Sequence, residues 1–433
     1  MELSRYLKIY PSPKGEGRLL LFSTRRGAVL ELPAAMMEAA RLGELAGETA
    51  EKLALLDILV PSREEEREEM LSLFDNASRR SRRFTALVTL NLDCNLACGY
   101  CYEDPFRGKR YMSEETADLL CDRLIDQHMS RGKDLVLEFY GGEPLLSIPL
   151  IRRISRRLLD AAKSEGRGYA FNLVSNGTLL TRSTAEELVA LGLKGVKFTL
   201  DGPRSIHDRQ RPFVSGNGSF DCIVNNLKDV CSLVSVQLGG NFTQDNFHEF
   251  PFLLDHLLDQ GVTPDRITSV LFAPITPKAG KEGIADFSTG CASICEPWLV
   301  DASLFLRREI LRRGFNTPKP LPAGCMVEFT NSLVVACDGS LFKCPAFMGW
   351  RELRIGSLVE GIADYHESHR LDIWKNKECL ECPYLPLCFG GCRFLRKLQT
   401  GTIDGVDCRR DYLDATLEAI IRQDMELRHK RLL

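Results

Sequence analysis

Between Thr85 and Ile275 six apolar runs alternate with helical stretches, and this alternation restricts the fold more than any other feature of the chain. The runs are "TALVTLNL" (85–92), "DLVLEFYGG" (134–142), "AFNLVSNG" (170–177), "GVKFTLDG" (195–202), "VSVQLGGNF" (234–242) and "RITSVLFAPI" (266–275). Residues 113–132, 150–166, 183–193, 219–233 and 247–261 carry apolar residues at helical spacing. Such a rhythm predicts an α/β fold with a parallel sheet and right-handed crossovers, either open or curved as a barrel. Interiors such as "LVLEF" and "VKFTL" predict strands buried on both faces. Ligands then sit at the C-terminal strand ends. The polar, glycine-rich stretches all fall there: "CNLACGYC", "YGGEP", "SNGT" and "LDGP" follow the first four strands. Four loops at one end of consecutive strands make one site.

Three further regions flank this unit, which runs from 85 to 315. Residues 1–60 read as a small α+β domain, with strands at 7–10 and 18–32, "TRRG" as a hairpin turn, and two helical patterns after it. Residues 61–84 carry acidic and then basic charges in blocks, which predicts a solvated linker helix. After residue 315 the rhythm stops. Cysteines return at 325, 337, 344, 379, 382, 388, 392 and 408, marking a second domain over 316–433 that closes with a charged helix.

The chain has 433 residues, 44% of them hydrophobic, and a net charge of −3, which argues against nucleic-acid and membrane-surface partners. The N-terminal residues lack the apolar core of a signal peptide, and no apolar run is long enough to span a bilayer. The expectation is a cytoplasmic protein. Sixteen cysteines in a reducing compartment then point to metal or redox chemistry rather than disulfides. Cys121, Cys222 and Cys231 stand alone in helical stretches and read as small buried hydrophobes. Cys94, Cys98 and Cys101 form a set of three. Three thiolates can hold three corners of a [4Fe–4S] cluster and leave the fourth iron open, as catalytic metal sites keep one position open.

At these residues the sequence resembles the radical S-adenosylmethionine (SAM) superfamily, whose signature is Cys-x3-Cys-x2-Cys with an aromatic before the last cysteine. Cys94, Cys98, Tyr100 and Cys101 match it. The resemblance implies a partial (β/α)6 TIM-type barrel over residues 85 to about 275. It also implies SAM chelated to the open iron and cleaved by one electron to methionine and a 5′-deoxyadenosyl radical. In that family reading Gly141 and Gly142 give close backbone approach, and Glu143 accepts bonds from the SAM ammonium. Ser175 and Asn176 bond the ribose or carboxylate, Thr199 and Asp201 supply a hydroxyl and a carboxylate, Arg211 clamps the methionine carboxylate, and Tyr100 packs near the adenine. His207, adjacent to this set, is assigned no role.

The later cysteines admit a structural zinc ribbon on spacing alone. Their full order resembles the SPASM domain, a C-terminal extension of radical SAM enzymes that act on peptides and proteins, which implies two auxiliary [4Fe–4S] clusters. By that resemblance Cys379, Cys382, Cys388 and Cys408 close one. Cys325, Cys344 and Cys392 hold the other, one ligand short, with Cys337, Cys291 and Cys295 as candidates for the fourth place. Sulfatase-maturing members carry an Asp base after the second hairpin cysteine; Pro345 follows Cys344 here. The N-terminal hairpin and helices resemble the peptide-recognition modules of ribosomal-peptide maturases, possible partners being a short precursor peptide whose leader adds a strand to the sheet edge and a reducing donor such as flavodoxin or ferredoxin. The whole arrangement resembles maturases of the geopeptide type. The implied reaction is hydrogen abstraction from a peptide carbon followed by a thioether or C–C crosslink. The alternatives are sulfatase-maturase-like residue oxidation and a zinc-stabilised binding protein without catalysis.

Overall fold

A computed structural model describes residues 1–101, 103, 107–275 and 296–428. Its strands, in chain order, are β1 (Glu2–Leu3), β2 (Leu7–Pro11), β3 (Arg18–Ser23), β4 (Ala28–Pro33), β5 (Leu59–Val60), β6 (Arg83–Asn91), β7 (Asp134–Gly141), β8 (Tyr169–Val174), β9 (Leu193–Thr199), β10 (Ser235–Phe242), β11 (Ile267–Pro274), β12 (Ser332–Val335), β13 (Ser340–Phe342), β14 (Gly356–Ser357) and β15 (Gly361–Ile362). Strands β6 to β11 lie side by side in sequence order and every pairing is parallel. This is the six-stranded partial barrel, with β6 and β11 at its two ends.

Local chemistry explains the crossover helices. Ser113 accepts from the Thr116 amide and starts Glu114–Leu124; Thr181 does the same for Arg182–Ala190 through Thr184. Helix Ile148–Glu165 buries Ile151, Ile154, Ser155, Leu158 and Ala162, one stripe at helical spacing, and Gly166 stops it with φ +62°. The stretch at 113–132 is not uniform: its last part, Ile125–Met129, is a π-helix.

Strands β7, β8 and β9 are not buried on both faces. Leu135, Leu137, Phe139, Phe171, Leu173, Val196 and Phe198 pack against the helices in one core. The other face carries Glu138, Asn172 and Lys197, which are half-buried or exposed. A partial barrel leaves its concave face accessible, so period-2 alternation replaces a continuous apolar run.

Beyond β6 the sheet continues. Strand β12 pairs with β6 in parallel, Ser332 opposite Thr85 through Val335 opposite Val88, and β13 to β15 follow as antiparallel neighbours. The C-terminal region is thus built onto the barrel sheet itself. Strands β2, β3 and β4 form a separate antiparallel sheet, and β1 pairs with β5.

The charged stretch at 61–84 differs from a solvated linker. It forms helices Arg63–Leu71 and Leu73–Arg80. Met70 and Phe74 pack with Tyr6, Trp374, Leu380, Leu385 and Phe389, and Glu66 is buried, accepting from the Ser4 hydroxyl (2.5 Å) and the Arg5 amide (2.9 Å). Charge blocks hid an apolar stripe that the C-terminal region covers. Among the described residues no helix is long and apolar enough to cross a membrane.

Candidate active site

Strand β6 delivers the three-cysteine loop to the C-terminal edge of the sheet. Cys94, Cys98 and Cys101 line one cavity there, together with Tyr100, Gly141, Gly142, Ser175, Asn176, Thr199 and Arg211. Among the described residues, no three His, Cys, Asp or Glu side chains gather around a single ion position. Burial raises all three thiols, Cys94 to about 11.

Close backbone approach holds this loop. The Gly142 amide donates to the Asn91 carbonyl at 3.1 Å and the Glu143 amide to the Asp93 carbonyl at 2.8 Å. A Cβ on Gly141 would lie 2.3 Å from the Asn91 oxygen, and Gly141 also has φ +143°. Glycine is therefore required at the contact between the two strand ends.

Two carboxylates at the site are fully buried. Glu143 is fully buried and accepts from the amides of Leu145 (3.0 Å) and Asn176 (2.8 Å) and the Ser175 hydroxyl (2.9 Å). Burial pushes its carboxyl up to about 7 despite these donors. Its oxygens brace the loop after β8. Asp201 is equally buried, accepting from the Tyr100 hydroxyl and from the Asn241 amide at 2.7 Å. Tyr100 is placed by its hydroxyl, which also accepts from Arg211 Nη1 at 2.6 Å and Asn241 Nδ2 at 3.1 Å. The Asn176 amide is likewise engaged, donating to Asn95 Oδ1 at 2.8 Å and lying 3.6 Å from the Cys94 sulfur. His207 is a buried brace, its Nδ1 accepting from the Asp201 amide at 3.1 Å and its Nε2 lying 3.0 Å from the Ser219 hydroxyl.

Arg211 is 8% exposed, and its Nε is buried with no partner among the described residues. A guanidinium held by Tyr100 with an N–H to spare, at the wall of a cavity with three thiols, fits an anionic ligand beside soft-metal donors.

Residues 88–254 match the model of the Radical SAM superfamily. The chain carries a radical SAM domain over these residues. It is an enzyme, and its cofactors are a [4Fe–4S] cluster and SAM, for which the three thiols and Arg211 are suited. Among its curated relatives, the Fe-coproporphyrin III synthase of Methanosarcina barkeri is 30% identical over 39% of this chain and 39% of its own length. That relative is therefore matched over well under half. The cysteine-type anaerobic sulfatase-maturating enzyme of Clostridium novyi is 24% identical over 73% of this chain and 90% of that protein. Two solved structures share the fold. Native anSMEcpe with bound AdoMet and Kp18Cys peptide has TM-score 0.61 and 16% identity, covering 79% of this chain and 96% of that one. Streptococcus suis SuiB bound to S-adenosylmethionine has TM-score 0.55 and 15% identity, covering 94% and 98%.

The later cysteines fall into two groups. Cys325 and Cys344 pack in one cluster with Val334, Phe342 and Phe347, and the sulfurs of Cys325, Cys344 and Cys392 interact electrostatically. Cys379 interacts with Cys382, Cys408 and Cys388. Cys337 does not join the first group. Along β12 and the two residues after it, Val334 and Ala336 face Cys325 and Cys344, while Leu333, Val335 and Cys337 pack with the barrel core. Strand alternation puts Cys337 on the opposite face. Cys291 and Cys295 lie outside the described residues.

Several site residues escaped the motifs. Arg107 Nη2 donates to the carbonyls of Cys94 (2.8 Å) and Leu96 (2.5 Å), tying the cysteine loop down. Glu103 is 4% exposed beside Cys101, and burial pushes its carboxyl up to about 7. Asn241 joins Asp201 to Tyr100. Only Asn241 had a readable signal, since it lies at the C-terminal end of the fifth apolar run.

Proposed function

We propose that this radical SAM enzyme matures a ribosomally made precursor peptide, forming a thioether or C–C crosslink. Cys94, Cys98 and Cys101 hold the SAM-binding cluster, Cys379, Cys382, Cys388 and Cys408 one auxiliary cluster, and Cys325, Cys344 and Cys392 the other. When bound, the cluster and SAM supply a 5′-deoxyadenosyl radical that abstracts hydrogen from a peptide carbon. The protein's part is positional. Arg211 takes the SAM carboxylate through its free N–H, and Tyr100, Asp201 and Asn241 fix that guanidinium. Gly141 and Gly142 keep the wall close, and Glu143, Ser175 and Asn176 hold the loop above it rigid.

One observation carries this reading. The concave, polar face of the sheet opens onto the cavity, and two of the three auxiliary cysteines, Cys325 and Cys344, pack against β12, the next strand beyond β6. A chain lying on that face has one redox site at its end and another beside it. The peptide held by anSMEcpe supports a peptide substrate, and the fold shared with SuiB extends over the N-terminal unit. We assign that unit to the leader, as a strand added to its sheet edge; a flavodoxin or ferredoxin supplies the electron. The relationship to a sulfatase-maturating enzyme favours residue oxidation as a second reading, but Pro345 follows Cys344 where that chemistry requires an Asp base.

The test is anaerobic co-expression with each short cysteine-containing reading frame beside the gene, followed by mass spectrometry. Loss of two hydrogens per site is expected. Unmodified peptides, with SAM still cleaved, would remove the crosslinking assignment.

A further inference from the structure

Two buried cations flank Cys325, Cys344 and Cys392. Lys343 is 1% exposed and donates to the carbonyls of Phe329 (2.5 Å) and Ser332 (2.6 Å), and its charge acts on Cys325. Arg393, also 1% exposed, pairs with Glu328, and its charge acts on Cys325 as well. Its Nε and Nη1 are buried with no partner among the described residues. Among the charges that act on Cys325, Lys343 and Arg393 are cations and Glu328 is the carboxylate, with Asp372 acting in turn on Glu328.

The surroundings of the four-cysteine group are different. Its thiols also have donors and cations, Asn376 Nδ2 donating to the Cys379 sulfur at 3.3 Å, Arg410 bonding Cys382 and Arg409 acting on Cys388, but Cys408 and Arg410 are exposed and Arg409 is shared with Asp407 at 3.4 Å. Water screens those charges, whereas a buried charge acts nearly unscreened. A cluster becomes more negative by one charge when it is reduced. Buried cations, N–H donors and a smaller number of thiolates each stabilise that reduced state.

We propose that Lys343 and Arg393 hold the reduction potential of a cluster on Cys325, Cys344 and Cys392 above that of a cluster on Cys379, Cys382, Cys388 and Cys408. The inner group then retains an added electron in preference to the outer one. This rests on the proposed reading that both groups hold clusters.

The test is a reductive titration of the full chain followed by electron paramagnetic resonance, in a background with Cys94, Cys98 and Cys101 replaced by Ala. Iron analysis of that background with and without Cys344→Ala comes first; no fall in iron means the inner cluster is absent, which defeats the cluster reading and this inference with it. Given both clusters, Lys343→Met is expected to lower the inner midpoint and Glu328→Gln to raise it, leaving the outer midpoint unmoved. A residue with only a structural role would change iron content without opposite shifts. If Lys343→Met loses iron, the sign of the Glu328→Gln shift decides. An inner midpoint below the outer one in the parent protein, or an inner midpoint that Glu328→Gln leaves unmoved or lowers with iron retained, overturns the proposal.

Discussion

A Cβ on Gly142 would stand 2.1 Å from the carbonyl oxygen of Asp93. The end of β7 is therefore pressed against the residue that precedes the first cysteine. Gly142→Ala must separate the two, at a strain of about 1–3 kcal/mol. The expected outcome is a lower melting temperature and SAM binding weakened on the order of tenfold or more. Differential scanning calorimetry and equilibrium dialysis with labelled SAM measure both. Wild-type SAM affinity in Gly142→Ala would show that the contact does not shape the site.

Arg211 is predicted to act on the cofactor and not on the iron. Arg211→Met should leave the iron content of the first cluster unchanged and weaken SAM by roughly 10- to 100-fold, the range for a charged hydrogen bond. Tyr100→Phe removes one of the groups that aim the guanidinium and should give a smaller loss in the same direction. Titration calorimetry separates the two effects, and equal losses would mean that Tyr100 contributes more than orientation.

His207 predicts an acid-side weakness. Burial lowers its imidazole from 6.5 to about 3, so the folded chain holds it neutral. Below its ordinary value the unfolded chain binds a proton that the folded chain refuses, so stability falls as pH drops from about 6.5 toward about 3. Melting temperatures at pH 7 and pH 5 should show this fall, and His207→Gln should flatten the dependence by about one proton. An unchanged slope in that variant would assign the effect to other groups, such as half-buried His128 and buried His369, both lowered to about 4.

Cys337 and Cys344 should respond differently to replacement. Cys337→Ala is expected to retain full iron because its side chain faces the barrel core. Cys344→Ala should lose about four irons. Iron analysis with ultraviolet–visible spectra gives the answer, and a loss of iron in Cys337→Ala would restore it as a ligand.

The N-terminal unit is fastened to the loop that carries Cys379 and Cys382. The Thr24 hydroxyl donates to the Pro383 carbonyl at 2.7 Å, the Tyr6 hydroxyl to the Leu380 carbonyl at 3.2 Å, and Leu20 and Phe22 pack on Cys382 and Tyr384. Replacing Cys379 and Cys382 by Ala should therefore raise hydrogen–deuterium exchange in residues 1–60 several-fold, with the barrel strands protected as before. Unchanged exchange would mean that the unit is held independently of that loop.

Periodicity made the barrel readable, because each strand-and-helix unit buries its apolar face locally. The cavity residues followed from position at the strand ends. What stayed hidden needed long-range partners. Nothing near Ser332 says that it will pair with Thr85. Glu143 and Asp201 are polar residues in site loops, and only their burial shows that they brace the wall. Met70 and Phe74 are too few among the charges of 61–84 to outweigh them by count. The face of Cys337 was readable in principle from strand alternation, once β12 was known to extend as far as Val335.

The parallel pairing of β12 with β6 makes the separation of the two inner cysteine groups a property of backbone hydrogen bonds. A hinged domain would let the redox sites approach and part with each turnover. A shared ladder works as a ruler, keeping their spacing the same whether or not a peptide lies between them. Under the proposed peptide chemistry, selection then falls on the substrate: only a chain whose reacting atoms can span that fixed interval will be modified.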